Sequence, residues 1–176
     1  MLKNLVLIGF MGSGKSSIGR ELAKSLSFPV LDTDALLVGR AGKPIKEIFA
    51  DEGEEAFRDM ESRILEDLVA QKPEKHIIST GGGIIGRPEN RRLLRELGYV
   101  IWLLVSPEEI RRRTARNNDR PLLANDQPEE TINTLLTART PLYEETAHLT
   151  IETDNLTFPE ISTGIIESAR YHFGTP

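Results

Sequence analysis

Gly9-Phe10-Met11-Gly12-Ser13-Gly14-Lys15-Ser16 matches the phosphate-loop pattern G-x-x-x-x-G-K-[ST] at every defined position. Glycines at these places let backbone N–H groups wrap a phosphate, the lysine adds a point charge, and the Ser16 hydroxyl suits Mg2+. The apolar run Leu5–Ile8 in front reads as a buried strand. Behind it, Ile18, Leu22 and Leu26 recur every four residues, as on an amphipathic helix. A glycine-rich turn that binds nothing can match eight residues alone. Between a strand and a helix, the loop instead predicts a bound nucleoside triphosphate held by Gly12, Ser13, Gly14, Lys15, Ser16 and Ser17.

Other residues supply chemistry beside that phosphate. Asp32-Thr33-Asp34 closes a second strand-like run, and parallel α/β folds gather ligands at the carboxyl ends of strands. Alone it would read as an Asp-rich turn and helix cap. Next to a phosphate loop, one carboxylate can serve Mg2+ and the other a substrate hydroxyl. The third strand ends in Ser79-Thr80-Gly81 without an aspartate, so Asp32 is the natural metal carboxylate. Gly81-Gly82-Gly83 is entropically costly to order, and it fits close approach of backbone to a ligand better than a linker. Arg58, with Glu54 four residues before and Glu61 three after, has the spacing of a surface ion pair. It becomes a candidate ligand because its segment follows Asp34. Arg139 reads as a helix-end cation or a carboxylate clamp. The run Arg111-Arg112-Arg113 with Arg116 and Arg120 borders an aperiodic stretch, which suits a lid closing over phosphates. A nucleic-acid face is the rival, but interleaved aromatics are missing and the net charge is -5. His76, His148 and His172 have no ligand spacing.

The elements that position these groups alternate strand and helix, predicting βαβ units with five parallel strands between helices. Strands are expected at Leu5–Ile8, Phe28–Asp32, His76–Ser79, Tyr99–Val105 and Leu149–Ile151. Helices are expected after the loop, from Lys43 and again after Gly53, over Pro88–Leu97, and after Ser106. Two more are expected over Pro128–Ala147 and Pro159–Phe173. Ser106-Pro107-Glu108-Glu109 resembles a capping box, and Pro141 predicts an irregularity. Residues 33–61 and 112–127 fit the core pattern least and are read as moving parts. At 176 residues, 39% hydrophobic and 28% charged, the chain suits one globular domain over 1–176. No run approaches a membrane span or signal peptide. The absence of cysteine excludes disulfides and thiolate ligands and fits a reducing cytoplasm.

Taken in order, six elements resemble shikimate kinase. They are the loop at 9–16, Asp32-Thr33-Asp34, and Ile48-Phe49 through Gly53-Glu54-Glu55-Ala56-Phe57-Arg58-Asp59-Met60-Glu61. The others are Thr80-Gly81-Gly82-Gly83, Arg120-Pro121-Leu122-Leu123 and Arg139-Thr140-Pro141-Leu142-Tyr143. The resemblance implies a three-layer α/β/α core like that of the nucleoside monophosphate kinases, with strand order 2-3-1-4-5. It adds a shikimate-binding segment at 33–61 and a lid at 112–127. It implies ATP- and Mg2+-dependent transfer of the γ-phosphoryl to the 3-hydroxyl of shikimate, in a cytoplasmic monomer on the route to aromatic amino acids. Asp34, Arg58, Gly81, Gly82, Gly83 and Arg139 would hold shikimate, with Phe49 and Phe57 walling its ring. Arg113 would lie against adenine, opposite Thr153-Asp154-Asn155. Ser16 and Asp32 would hold one Mg2+, and Lys15, Asp34 and Arg120 would carry the transfer. The alternative is another small-molecule kinase of the same build, such as a gluconate kinase.

Overall fold

Alternation within the first strand decides the layering. β1 (Leu5–Ile8) is apolar and wholly buried. Leu5 and Leu7 face α1 (Lys15–Leu26) and α7 (Phe158–His172), packing with Ile18, Leu22, Ile161 and Ile165. Val6 and Ile8 face α3 (Ile45–Gln71), α4 (Pro88–Leu97) and α6 (Pro128–Thr146), meeting Leu65, Leu94 and Tyr143. The computed structural model describes residues 3–114 and 128–174 of the chain.

The remaining strands are β2 (Val30–Asp32), β3 (Ile77–Ser79), β4 (Tyr99–Leu104) and β5 (Leu149–Glu152). All pair in parallel in the order β2-β3-β1-β4-β5, the three-layer α/β/α arrangement expected from the resemblance. Because β3 and β4 flank β1 on opposite sides, the loop after β1 opens at the switch point of the sheet, where such folds bind ligands. Tyr99–Leu103 of β4 are buried, as a central strand covered on both faces requires. A third apolar cluster of Phe10, Val105, Ile110 and Ile132 ties the loop to α5 (Pro107–Thr114) and α6.

Several local expectations need correction. Residues after Asp32 form a helix, α2 (Thr33–Ala41), which ends at Gly42 with φ 68°. Only Leu37 of its apolar side chains is fully buried, so its periodicity is faint in sequence. β2 begins at Val30, since Pro29 has no N–H for the ladder, although its carbonyl accepts from Ile77 N at 2.9 Å. The two helical pieces expected on either side of Gly53 are both present, meeting within α3 at a kink where Gly53 is non-helical at φ 83° and ψ 173°, a conformation open essentially to glycine alone. The box before α5 forms by half. Ser106 Oγ accepts from Glu109 N at 3.2 Å, while the Glu109 carboxylate turns to Arg112 and Arg113 at 2.7 and 2.6 Å. Pro141 lies inside α6 without ending it. Of the segment 112–127, only 112–114 fall within the description, as the end of α5; Arg116 and Arg120 lie outside the described residues. Among the described residues no helix is long and apolar enough to cross a membrane.

Candidate active site

Strand register assembles the site. Leu7 pairs with Ser79, and Asp32 pairs with the same Ser79. The loop after β1, the acidic turn after β2 and the glycine run after β3 therefore leave the sheet side by side. Thr80 Oγ1 donates to Leu7 O at 2.9 Å, and Gly81 N donates to Thr33 Oγ1 at 3.1 Å. The phosphate loop itself needs left-handed backbone at Gly12 (φ 78°) and Gly14 (φ 93°). Lys15 is buried and Nζ donates to the Gly9 and Phe10 carbonyls at 2.7 and 2.9 Å. The ammonium is thus held over the loop from within it. A cavity of about 430 Å3 opens there, lined among others by Lys15, Ser16, Asp32, Asp34, Gly82 and Arg113.

Each member of the glycine run is seated against a different part of the site. A Cβ on Gly81 would stand 2.7 Å from Asp34 Oδ1 and 2.9 Å from Glu61 Oε1. On Gly82 it would stand 3.0 Å from Met11 N, and on Gly83 2.5 Å from Arg58 Nη1. The run is packed between two carboxylates, the loop backbone and a guanidinium. Tyr143 OH fastens it from below by donating to Gly82 O at 2.5 Å. Burial, the chief influence, pushes the Tyr143 phenol upward, so it remains a donor.

Around that run lie the groups expected to hold a substrate. Arg58 is mostly buried, donates to Glu61 at 2.6 Å and Glu54 at 2.9 Å, and lies 5.2 Å over the Phe57 ring. Phe57 contacts Phe49 with ring centroids 4.7 Å apart. Glu61, in sequence only a spacing partner of Arg58, is 2% exposed. Burial pushes its carboxyl up to about 6, against the opposing pull of Arg58, with Asp34 adding to the rise. Arg139 is 9% exposed, stands 5.7 Å from the Phe10 ring and leaves a buried Nη1 without a hydrogen-bond partner among the described residues. An unmade bond of that kind costs roughly 1–3 kcal/mol, which an arriving carboxylate would relieve. The Arg58–Glu54 pair, by contrast, contributes about 0–1 kcal/mol because Glu54 is exposed. Arg58 and the carboxylates of Asp34 and Glu61 therefore gather at the glycine run, beside a cavity that Asp34 and Gly82 share with Lys15.

Asp32 is both a helix cap and a candidate metal ligand, and the two roles use separate atoms. Its Oδ1 accepts from Asp34 N and Ala35 N at 3.0 and 3.1 Å. Oδ2 has no hydrogen-bond partner among the described residues, and Asp32 shares the cavity with Ser16. A carboxylate and a hydroxyl beside a phosphate site are hard oxygen donors of the kind Mg2+ takes. On the outer rim, Arg113 Nη1 donates to Gly12 O at 3.3 Å and Nε to Glu109 at 2.6 Å. Phe158, 48% exposed at the start of α7, lines the same cavity. In sequence an aromatic before Pro159 is an ordinary helix opener; only its exposure in a cavity shared with Arg113 marks it.

A phosphate loop at the switch point of a 2-3-1-4-5 parallel sheet, facing a second anion-binding group, defines a P-loop kinase for a small acceptor. The shikimate kinase family model matches residues 11–170, and the chain belongs to that family. It is 43% identical over 169 residues to the shikimate kinase of Thioalkalivibrio sulfidiphilus, covering 96% of this chain and 86% of that one. The Dechloromonas aromatica shikimate kinase is 41% identical over 165 residues, covering 94% and 87%. Among solved structures, shikimate kinase from Acinetobacter baumannii in complex with shikimate superposes with TM-score 0.92 at 37% identity, covering 98% of this chain and 95% of that one. A gluconokinase from Sinorhizobium meliloti shares the fold at TM-score 0.56 and 17% identity, covering 97% and 95%. That likeness carries the fold alone. The chain is a kinase of the shikimate pathway, a transferase acting on shikimate.

Proposed function

We propose that this chain binds ATP with Mg2+ at the phosphate loop and transfers the γ-phosphoryl to the 3-hydroxyl of shikimate held across the glycine run. The seating of Gly81, Gly82 and Gly83 against Asp34 and Glu61, Met11 N, and Arg58 carries the reading. One backbone segment thus touches both the phosphate loop and the groups assigned to the acceptor, and Asp34 lines the cavity of the loop. Arg139 and Arg58 take the shikimate carboxylate as guanidinium forks, and Phe49 and Phe57 flank the ring. Asp34 accepts from the attacking hydroxyl and draws it toward the phosphate. Lys15 exchanges its loop carbonyls for phosphate oxygens, and Arg113 with Phe158 encloses the adenine. Ser16 and Asp32 would hold one Mg2+, which when bound supplies charge compensation at the phosphates. Arg120, in the expected lid, is assigned the charge of the transferring group by family pattern. Both halves come from one chain, which supports a monomer, and ATP as co-substrate supports a cytoplasmic setting.

Phosphoryl transfer asks the protein chiefly for positioning and charge stabilisation, so the roles are separable by kinetics. A coupled ADP-release screen with shikimate, gluconate and nucleoside monophosphates is expected to give turnover on shikimate. Asp34→Asn and Arg58→Ala should each nearly abolish it while ATP still binds. Robust turnover in either variant removes the residue assignments; turnover on gluconate alone removes the acceptor.

A further inference from the structure

A second cavity, of about 210 Å3, lies between α2 and α3 and is lined by Leu37, Arg40, Ala41, Met60, Arg63 and Ile64. Its floor is apolar: Leu37 and Ile64 are 1% and 2% exposed, with Met60 and Ala41 packed beside them. Its rim is cationic. Arg40 is held by Asp67 at 2.5 Å, whereas Arg63 has no ion-pair partner among the described residues, and none of the six lining side chains is acidic. The volume equals that of about seven water molecules and falls below the roughly 300–1,000 Å3 of drug-sized sites. An occupant is thereby limited to about one ring.

We propose that this cavity is a second ligand site that takes a small one-ring monocarboxylate, ring against Leu37, Met60 and Ile64 and carboxylate on Arg63, and that its occupancy changes binding of the acceptor. An apolar floor with a cationic rim and no lining carboxylate selects an apolar anion over a cation or a polyol. The coupling follows from the helices that form the walls. Leu37 lies one turn after Asp34 on α2, and Met60 and Ile64 flank Glu61 on α3. A ring wedged between these helices bears on the carboxylates that meet at Gly81. The coupling rests on the acceptor assignment above; binding in the cavity does not.

Benzoate serves as the probe, followed through the methyl resonances of Leu37, Met60 and Ile64 in the full chain. Because Arg58 and Arg139 could also take benzoate, the titration is repeated in Arg139→Ala. Expected are saturable shifts at these methyls in both proteins, weakened about tenfold in Arg63→Gln, as loss of a charge-assisted bond implies, and weakened similarly for benzamide. In the unsubstituted enzyme, benzoate should change the KM for shikimate and leave that for ATP unaltered, and Arg63→Gln should remove the change. Methyl shifts that vanish in Arg139→Ala, or that persist undiminished in Arg63→Gln, overturn the site. Binding that leaves the acceptor KM unmoved overturns the coupling. Absence of turnover on shikimate beside intact methyl shifts would count against the acceptor assignment alone.

Discussion

Arg58 Nη1 stands 2.6 Å from Glu61 Oε2, and both groups press on the glycine run, Glu61 at Gly81 and Arg58 at Gly83. One ion pair thus borders the glycine run at both its first and last residue. Its carboxylate is almost wholly buried while its guanidinium keeps a second, exposed partner in Glu54.

Burial pushes the Glu61 carboxyl up to about 6, so acceptor binding at the proposed site is expected to depend on pH. An incoming carboxylate beside Glu61 favours its protonated form, so by linkage the affinity for shikimate falls as pH rises through 6. The KM for shikimate should climb a few-fold between pH 5 and 7.5, a rough figure from such linkage, and Glu61→Gln should flatten the profile. An unaltered slope in Glu61→Gln assigns the titration elsewhere. For stability the sign is the same. A folded value raised above the ordinary 4.5 stabilises the fold at low pH, and that contribution is lost between about 4.5 and 6.

The glycines should separate by substrate. A methyl at Gly82 meets Met11 N and Gly9 O, which are backbone and cannot yield without moving the loop. Gly82→Ala is expected to lower kcat/KM for ATP by about 100-fold, the scale of a misplaced catalytic group. A methyl at Gly83 meets the far end of Arg58, which can swing. Gly83→Ala should raise the shikimate KM roughly tenfold, as loss of a charged hydrogen bond does, and leave ATP binding intact. Equal effects on both substrates in both variants would contradict the division of the run.

Phe158 provides an exposed aromatic face on the nucleotide cavity. Phe158→Ala is expected to raise the KM for ATP about tenfold, since stacking of a base is worth roughly 1–3 kcal/mol. Phe158→Tyr should restore it, with shikimate KM unchanged throughout. Steady-state kinetics with each substrate varied in turn reads both, and an unchanged ATP KM in Phe158→Ala rejects the stacking.

At the opposite end of the sheet, His148 Nδ1 accepts from Val100 N at 2.9 Å, so the ring must be neutral at that nitrogen. Burial first, then Arg95 and His172, holds its pKa below 6.5. A folded value below the unfolded one means stability is present above about pH 6.5 and declines as pH falls. Thermal melts should show a loss between pH 7 and 5.5 that His148→Asn reduces, the asparagine oxygen replacing Nδ1 as acceptor. An identical loss in the variant would shift responsibility to other groups.

The phosphate loop, all five strands within a residue or two, and the helices behind Ile18, Leu93 and Ile165 follow from patterns that local sequence carries in full: glycine spacing, period and caps. So does the pairing of Arg58 with Glu54 and Glu61, which is a matter of helical spacing. Legibility failed where burial is sparse, as in α2 with Leu37 its one fully buried apolar side chain, or where a residue's role depends on what packs against it. Nothing near Glu61 in the chain tells that its carboxylate is sealed against Gly81, nor near Phe158 that its ring lines a cavity with Arg113. Those relations arise from the register that pairs Leu7 and Asp32 with one Ser79. Hydrogen bonds between segments about 47 to 72 residues apart create it, and burial then sets which charges meet, a long-range outcome that no local period encodes.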